Sequence, residues 1–110
     1  MDRQPTVYML ASQTRGTIYT GVTSDLMRRL WQHRTGATGG FTVEHGVRRL
    51  VHVEPFETMY DAIAREKRLK RWRREWKVAL IETHNPTWRD LALELGFDVL
   101  NPKIPPSPRP

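Results

Sequence analysis

The amino-acid sequence predicts a small α/β (α+β) domain with the element order β-β-α-β-α-α. Three observations lead there. Short runs rich in β-branched and aromatic residues occupy 7–12, 17–22 and 49–56. Stretches with helical apolar spacing, opened by capping residues, follow the second and third runs. The length of 110 residues suits one domain, large enough to bury about two thirds of its surface around one core.

The runs 7–12 and 17–22 are joined by Gln13-Thr14-Arg15-Gly16, a turn in which Gly16 is available for a positive φ. They read as a β-hairpin. The sequence leaves its register open: an odd pairing sum puts Tyr8 and Tyr19 on one face, and an even sum splits them. Thr23-Ser24-Asp25 then forms an N-cap cluster, a helix runs over 26–34, and Gly36 stops it. At about 100° per residue, Leu26, Met27, Leu30 and Trp31 make its apolar arc. Arg29 and His33 lie one turn apart at the edge of that arc and can face a cleft, while Arg28 points to solvent.

Residues 37–46 hold three of the seven glycines and read as a loop. The third strand, 49–56, is ended by Pro55. Thr58-Met59-Tyr60-Asp61 resembles a capping box and opens a long helix over 59–72. Another helix is expected from about 74 to 83. Asn85-Pro86-Thr87-Trp88 starts a further short helix, with Pro86 at its first position. The last nine residues carry five of the eight prolines. One domain is therefore expected over 1–95, with an extended Pro-rich tail over 96–110.

Composition excludes several classes. Cysteine is absent, which removes disulfides, thiolate zinc sites and cysteine nucleophiles and suits a cytoplasmic location. The longest uninterrupted apolar run, 7–11, is too short to cross a membrane. The charged start Met1-Asp2-Arg3 lacks the apolar stretch of a secretory signal. His45, His52 and His84 stand at spacings that match no compact metal motif. No Gly-rich phosphate loop and no Gly-x-Ser-x-Gly elbow is present.

The net charge of +6 has a location. Residues 65–77 hold eight of the 18 Lys and Arg and two of the 12 Asp and Glu, so the remainder is neutral. A focused basic segment attracts polyanions, nucleic acid first among them; the plainer reading is a solvated helix face. Arg65, Lys67, Lys70, Arg71, Arg73 and Arg74 are the candidate nucleic-acid contacts. Trp72 and Trp76 interleave with these cations, either as stacking platforms or as anchors into the core.

On the 59–72 helix the apolar stripe is Met59, Ala62, Ile63 and Leu69, and Glu66 falls within it. A carboxylate turned toward a core or cleft needs a partner. Arg29 is one candidate, as a structural ion pair, and helix geometry alone favours it. A divalent cation is the other. Lys70 and Arg73 continue the stripe beyond Glu66. An acid beside a basic run suits phosphodiester chemistry, since a metal neutralises one phosphate oxygen while cations hold the strand.

Taken together, these residues resemble the GIY-YIG nuclease domain, and most closely its small single-domain members related to the N-terminal domain of the excinuclease C subunit. The two name-giving tripeptides stand here as Val7-Tyr8-Met9 and Tyr19-Thr20-Gly21. Thr23-Ser24-Asp25-Leu26 leads into Arg28-Arg29-Leu30 and His33, and Ala62-Ile63-Ala64-Arg65-Glu66-Lys67 resembles the second-helix signature. Lys70-Arg71-Trp72, Leu80-Ile81-Glu82 and Asn85-Pro86-Thr87-Trp88-Arg89-Asp90-Leu91 are typical of the small members, so the likeness covers about 6–91.

The resemblance implies a three-stranded antiparallel sheet flanked by helices. It implies catalytic roles for Tyr8, Tyr19, Arg29, His33 and Glu66. Either tyrosine would orient or deprotonate the attacking water. Arg29 would bind the scissile phosphate, and His33 would relay a proton or touch phosphate. Glu66 would be the sole protein ligand of one Mg²⁺ or Mn²⁺. Val22 stands where some relatives carry a lysine. The expected activity is metal-dependent hydrolysis of DNA, whether single-stranded, branched or duplex, with RNA also open. No separate recognition module is visible, so the cutting is expected to be structure- or strand-directed rather than sequence-specific. Two other readings compete: a non-catalytic nucleic-acid-binding module on the same scaffold, and a protein-interaction module built on the basic helix and Pro-rich tail.

Overall fold

The five-residue apolar run becomes the middle of a sheet. A computed structural model of the chain describes residues 3–37, 40, 42 and 45–100. Strand β1 (Thr6–Ala11) pairs antiparallel with β2 (Ile18–Thr23) on one side and with β3 (Arg49–Pro55) on the other, giving the order β2-β1-β3. Every residue of β1 is buried. That is why its sequence is continuously apolar rather than alternating: both faces of the central strand are covered.

The two faces have different coverings. Val7, Met9 and Ala11 pack with Val51 against Ala62, Leu69, Ile81 and Trp88. Those partners come from α2 (Met59–Arg71), α3 (Arg74–His84) and the turn after it. Tyr8 and Leu10 point the other way, to Leu30 of α1 (Leu26–Thr35), Val47, Leu50 and Ala92. Ala92 belongs to a 3-10 turn, Leu91–Leu95. Met9 pairs with His52 and Leu10 with Leu50, so Val51 is the extra residue of a β-bulge. The expected order β-β-α-β-α-α and the antiparallel sheet are those observed.

The caps lie where the sequence puts them. Asp25 accepts a hydrogen bond from the Arg28 N–H at 3.2 Å, and Thr58 from the Asp61 N–H at 3.1 Å. Gly36 closes α1 in the left-handed conformation at φ 74°. The hairpin turn differs from expectation: its positive φ of 54° falls on Arg15, not on Gly16.

Three further expectations are corrected. The apolar arc of α1 is not Leu26, Met27, Leu30 and Trp31, because Met27 and Trp31 are about half exposed (48% and 51%). The helix is rolled so that Leu30, His33 and Arg34 go inward, since Arg34 forms a buried ion pair with Asp90 at 2.8 Å. On α2 the inward stripe is Met59, Ala62, Glu66 and Leu69, while Ile63 stands outside it at 38% exposure. No helix starts at Pro86. Trp88 takes a left-handed φ of 58° in the core, and the 3-10 turn begins at Leu91, capped by Asp90.

Asn85 is the reason for that delay. It is buried, and its side-chain amide donates to the Val51 carbonyl at 3.2 Å and the Arg89 carbonyl at 2.9 Å, while accepting the Arg89 N–H at 3.1 Å. A fully bonded buried amide holds the turn open as a loop. Arg34 also lies over the Phe97 ring and donates to the Asp98 carbonyl, so the chain stays attached to α1 beyond residue 95. The Pro-rich stretch 101–110 lies outside the described residues. Among the described residues no helix is long and apolar enough to cross a membrane.

Candidate active site

The hairpin register settles which face the tyrosines share. Thr6 pairs with Thr23, Tyr8 with Gly21 and Leu10 with Tyr19, an odd sum. Tyr8 and Tyr19 are therefore diagonal neighbours on the α1 face, with ring centroids 6.2 Å apart. Gly21 makes this possible. A Cβ at that position would lie 2.6 Å from the Tyr8 Cζ and Oη, inside van der Waals contact. The glycine of the second tripeptide is the space that the first tyrosine ring fills.

His33 closes a triangle with the two phenols, its ring 5.7 Å from Tyr8 and 5.5 Å from Tyr19. Its Nε2 lies 2.9 Å from the Tyr8 hydroxyl and its Nδ1 3.1 Å from the Thr42 hydroxyl. Tyr8 is fully buried and His33 nearly so, whereas Tyr19 is only half-buried. Tyr19 is thus the phenol that solvent can reach, and Tyr8 stands behind it.

Burial sets the protonation states. It pushes the Tyr8 phenol well above its ordinary value; Tyr19 adds to the rise and the Arg29 charge only partly opposes it. Burial, with the Arg29 charge second, lowers the His33 imidazole to about 4. At neutral pH Tyr8 is therefore a neutral phenol and His33 a neutral imidazole. Arg29, half-buried on α1, is the charged group that both Tyr8 and His33 feel. Arg29 also lines a polar cleft of about 280 Å³ together with Arg3, Arg28 and Gln32.

Tyr8, Tyr19, Arg29 and His33 are brought together, whereas Glu66 lies in the other helical layer. It sits on α2, which packs over β1 and β2. Its carboxylate is largely buried (12% exposed) and pairs with Lys70 at 2.6 Å, one turn on. The partner that the sequence left open is thus Lys70, and the favoured Arg29 pair is not formed. On the same side of edge strand β2, the Thr20 hydroxyl is buried with no hydrogen-bond partner, the only such side-chain atom among the described residues. A single carboxylate is a hard oxygen donor of the kind Mg²⁺ takes alongside water and phosphate oxygens. Among the described residues no group of three His, Cys, Asp or Glu forms a closed metal cage.

The basic candidates divide into two sets. Arg65 is half-buried, forks onto Glu54 at 2.8 and 3.1 Å and lies over Trp72, so it holds the fold. Arg74 donates to the carbonyls of Arg15 and Gly16 at the hairpin tip. Lys67, Arg71 and Arg73 are exposed, as is Arg68, which the sequence reading passed over. Of the two tryptophans, Trp72 packs onto the core while Trp76 is half exposed beneath Arg73.

Two features were missed. Thr42 lies in the stretch read only as a Gly-rich loop, and no periodicity marks it. His52, buried, bonds Glu54 at 2.8 Å and has its ring 6.0 Å from that of His84. The alternation of strand 49–55, which puts His52 and Glu54 on one side, was the available signal.

The sheet carries the paired tyrosines on one face, and the helix α1 that covers that face carries Arg29 and His33. The chain matches the model of the GIY-YIG catalytic domain over residues 4–79, and it belongs to that family. Its relatives include a UPF0213 protein of Oceanobacillus iheyensis, 35% identical over 82 residues, which are 74% of this chain and 94% of that protein. A UPF0213 protein of Haloquadratum walsbyi is 38% identical over 66 residues, 60% of this chain and 74% of the other. The solution structure of a UPF0213 protein from Bacillus halodurans aligns with a TM-score of 0.51 at 27% identity, covering 86% of this chain and 99% of that one. The names of these relatives state no activity.

Proposed function

We propose that this domain is a metal-dependent endonuclease that hydrolyses DNA phosphodiester bonds and selects its substrate by strand structure rather than by sequence. The observation that carries the reading is the triangle of Tyr8, Tyr19 and His33 with the Arg29 charge beside it. Tyr19 is the phenol that meets the attacking water, because Tyr8 is out of solvent's reach. Tyr8 and His33 form a neutral hydrogen-bonded pair behind it. Arg29 stabilises the charge that builds on the phosphorus-bound oxygens during attack. Arg3 and Arg28, in the cleft that Arg29 shares, hold a flanking phosphate of the same strand.

Glu66 is the residue that would hold the divalent cation, in exchange for Lys70. When bound, Mg²⁺ or Mn²⁺ supplies Lewis-acid neutralisation of the phosphate and a more acidic water. Lys70, together with Lys67, Arg71 and Arg73, would hold the backbone of the strand. The partner is DNA, with RNA an outcome of the same assay, and the working compartment is the cytoplasm.

The test is cleavage of single-stranded, duplex and branched DNA and of single-stranded RNA, with Mg²⁺, Mn²⁺ or EDTA. Wild type should cut with metal and not with EDTA. Glu66→Gln should lose cutting while still binding. Tyr19→Phe should slow cutting by about 100-fold or more, the range of a lost general-base contact. Salt-sensitive binding by folded wild type with no cutting in any metal would overturn the nuclease reading in favour of a binding module.

A further inference from the structure

We propose that Thr42 is a positioning residue of this site: its hydroxyl accepts the Nδ1–H of His33 and so fixes the tautomer whose Nε2 accepts the Tyr8 phenol proton. The inference deepens the nuclease reading, on which only its kinetic consequence rests.

Both nitrogens of His33 have one partner each, Thr42 at 3.1 Å and Tyr8 at 2.9 Å, and both partners are hydroxyls. A neutral imidazole carries one N–H, so one nitrogen donates and the other accepts. The chemistry of the two hydroxyls decides which. A phenol, with a pKa of about 10, is a far stronger acid than an aliphatic alcohol. It is therefore the better donor, and the threonine oxygen is the better acceptor. The favoured arrangement is Tyr8 O–H to Nε2 and Nδ1–H to Thr42 Oγ1. It leaves the lone pairs of the Tyr8 oxygen open toward Tyr19 and Arg29, the two groups whose influence Tyr8 registers.

Thr42 is placed to hold this state. It is 4% exposed and His33 5% exposed, so solvent offers the imidazole little substitute. The Thr42 carbonyl accepts the Val47 N–H at 2.8 Å, and Val47 is fully buried in the cluster that contains Tyr8 and Leu10. The position of the hydroxyl is thereby tied to the strand that carries Tyr8. Removing it leaves a buried N–H unpaired. The imidazole then gains by moving its proton to Nε2, donating to Tyr8 and turning the phenol proton away.

The experiment is long-range ¹H–¹⁵N NMR of the histidine rings at pH 7 in the full-length protein, comparing wild type, Thr42→Val and Thr42→Ser. Wild type and Thr42→Ser should show His33 as the Nδ1–H tautomer, and Thr42→Val should shift toward Nε2–H. An Nε2–H signal in wild type, or no shift in a folded Thr42→Val, overturns the proposal. If Thr42→Val does not fold, wild type and Thr42→Ser still decide: Nδ1–H in both upholds it, and Nε2–H in either overturns it. In cleavage assays Thr42→Val should lower kcat by about 10-fold, the rate equivalent of one lost hydrogen bond, with KM unchanged. Thr42→Ser should restore it. If wild type cuts nothing, the nuclease reading fails while the tautomer result stands.

Discussion

At the scale of single residues the site depends on space as much as on functional groups. Gly21 is the clearest case. Its φ carries no strain to explain, and the constraint is the Tyr8 ring that occupies the volume a side chain would need. Gly21→Ala is expected to push Tyr8 off the His33 Nε2. Overpacking of this kind costs about 1–3 kcal/mol. Urea denaturation should show a lower midpoint at an unchanged slope, and the Tyr8–His33 coupling should vanish from ring NMR. A variant as stable as wild type would show that the ring has room to move. Arg29 was singled out by its place on α1, and the two tyrosines by the tripeptides in which they stand. Thr42 was not, because a hydroxyl in a Gly-rich connection has no periodic position to be out of place in.

At the scale of elements, α2 has two working faces. Met59, Ala62, Glu66 and Leu69 turn toward the sheet, and Lys67, Arg68 and Arg71 stand together on the outer side. The outer face is the one available to a phosphate backbone. Replacing Lys67, Arg68 and Arg71 with Gln should weaken nucleic-acid binding and flatten its salt dependence. Each lost phosphate contact lowers the log–log slope by about 0.7 on single strands and about 0.9 on duplex. Arg65→Ala should instead lower stability with little change in that slope, because its guanidinium is committed to Glu54. Fluorescence anisotropy across a salt series separates the two. Equal slopes for triple variant and wild type would move the interface elsewhere. The sequence located this basic segment but not its division, since which cations are already paired depends on what α2 packs against.

At the scale of the whole molecule, acid should act in two windows. The His33 imidazole is lowered from its ordinary 6.5 to about 4 by burial, with the Arg29 charge adding to the shift, and Tyr8 and Tyr19 as its other ring neighbours. A depressed folded-state pKa means that the unfolded chain takes up the proton first. The stability from neutral His33 is complete above pH 6.5 and is lost as pH falls toward 4. Burial alone would raise the Glu54 carboxyl, but the hydrogen bonds from His52 and Arg65 outweigh it and hold the group at about 2. Its contribution is complete above 4.5 and is lost as pH falls toward 2. Urea titrations from pH 7.5 to 2.5 should show both losses. His33→Gln should remove the upper one and Glu54→Gln the lower. Stability that stays flat between pH 7 and 4.5 would contradict the burial of His33.

What the sequence determined by itself was local in origin. The β-branched and aromatic runs mark the strands of the hairpin. Asp25 and Thr58 cap helices wherever those helices lie, and Gly36 ends one. These rest on backbone sterics and near-neighbour hydrogen bonds, which a linear pattern carries. The tertiary structure alone decided the odd hairpin register that brings Tyr8 and Tyr19 together and the roll of α1 that leaves Trp31 outside. It also decided the capture of His33 by Thr42. Each of these is a choice among partners that the sequence makes equally available. It is settled only when distant elements pack and buried polar groups compete for hydrogen-bond partners.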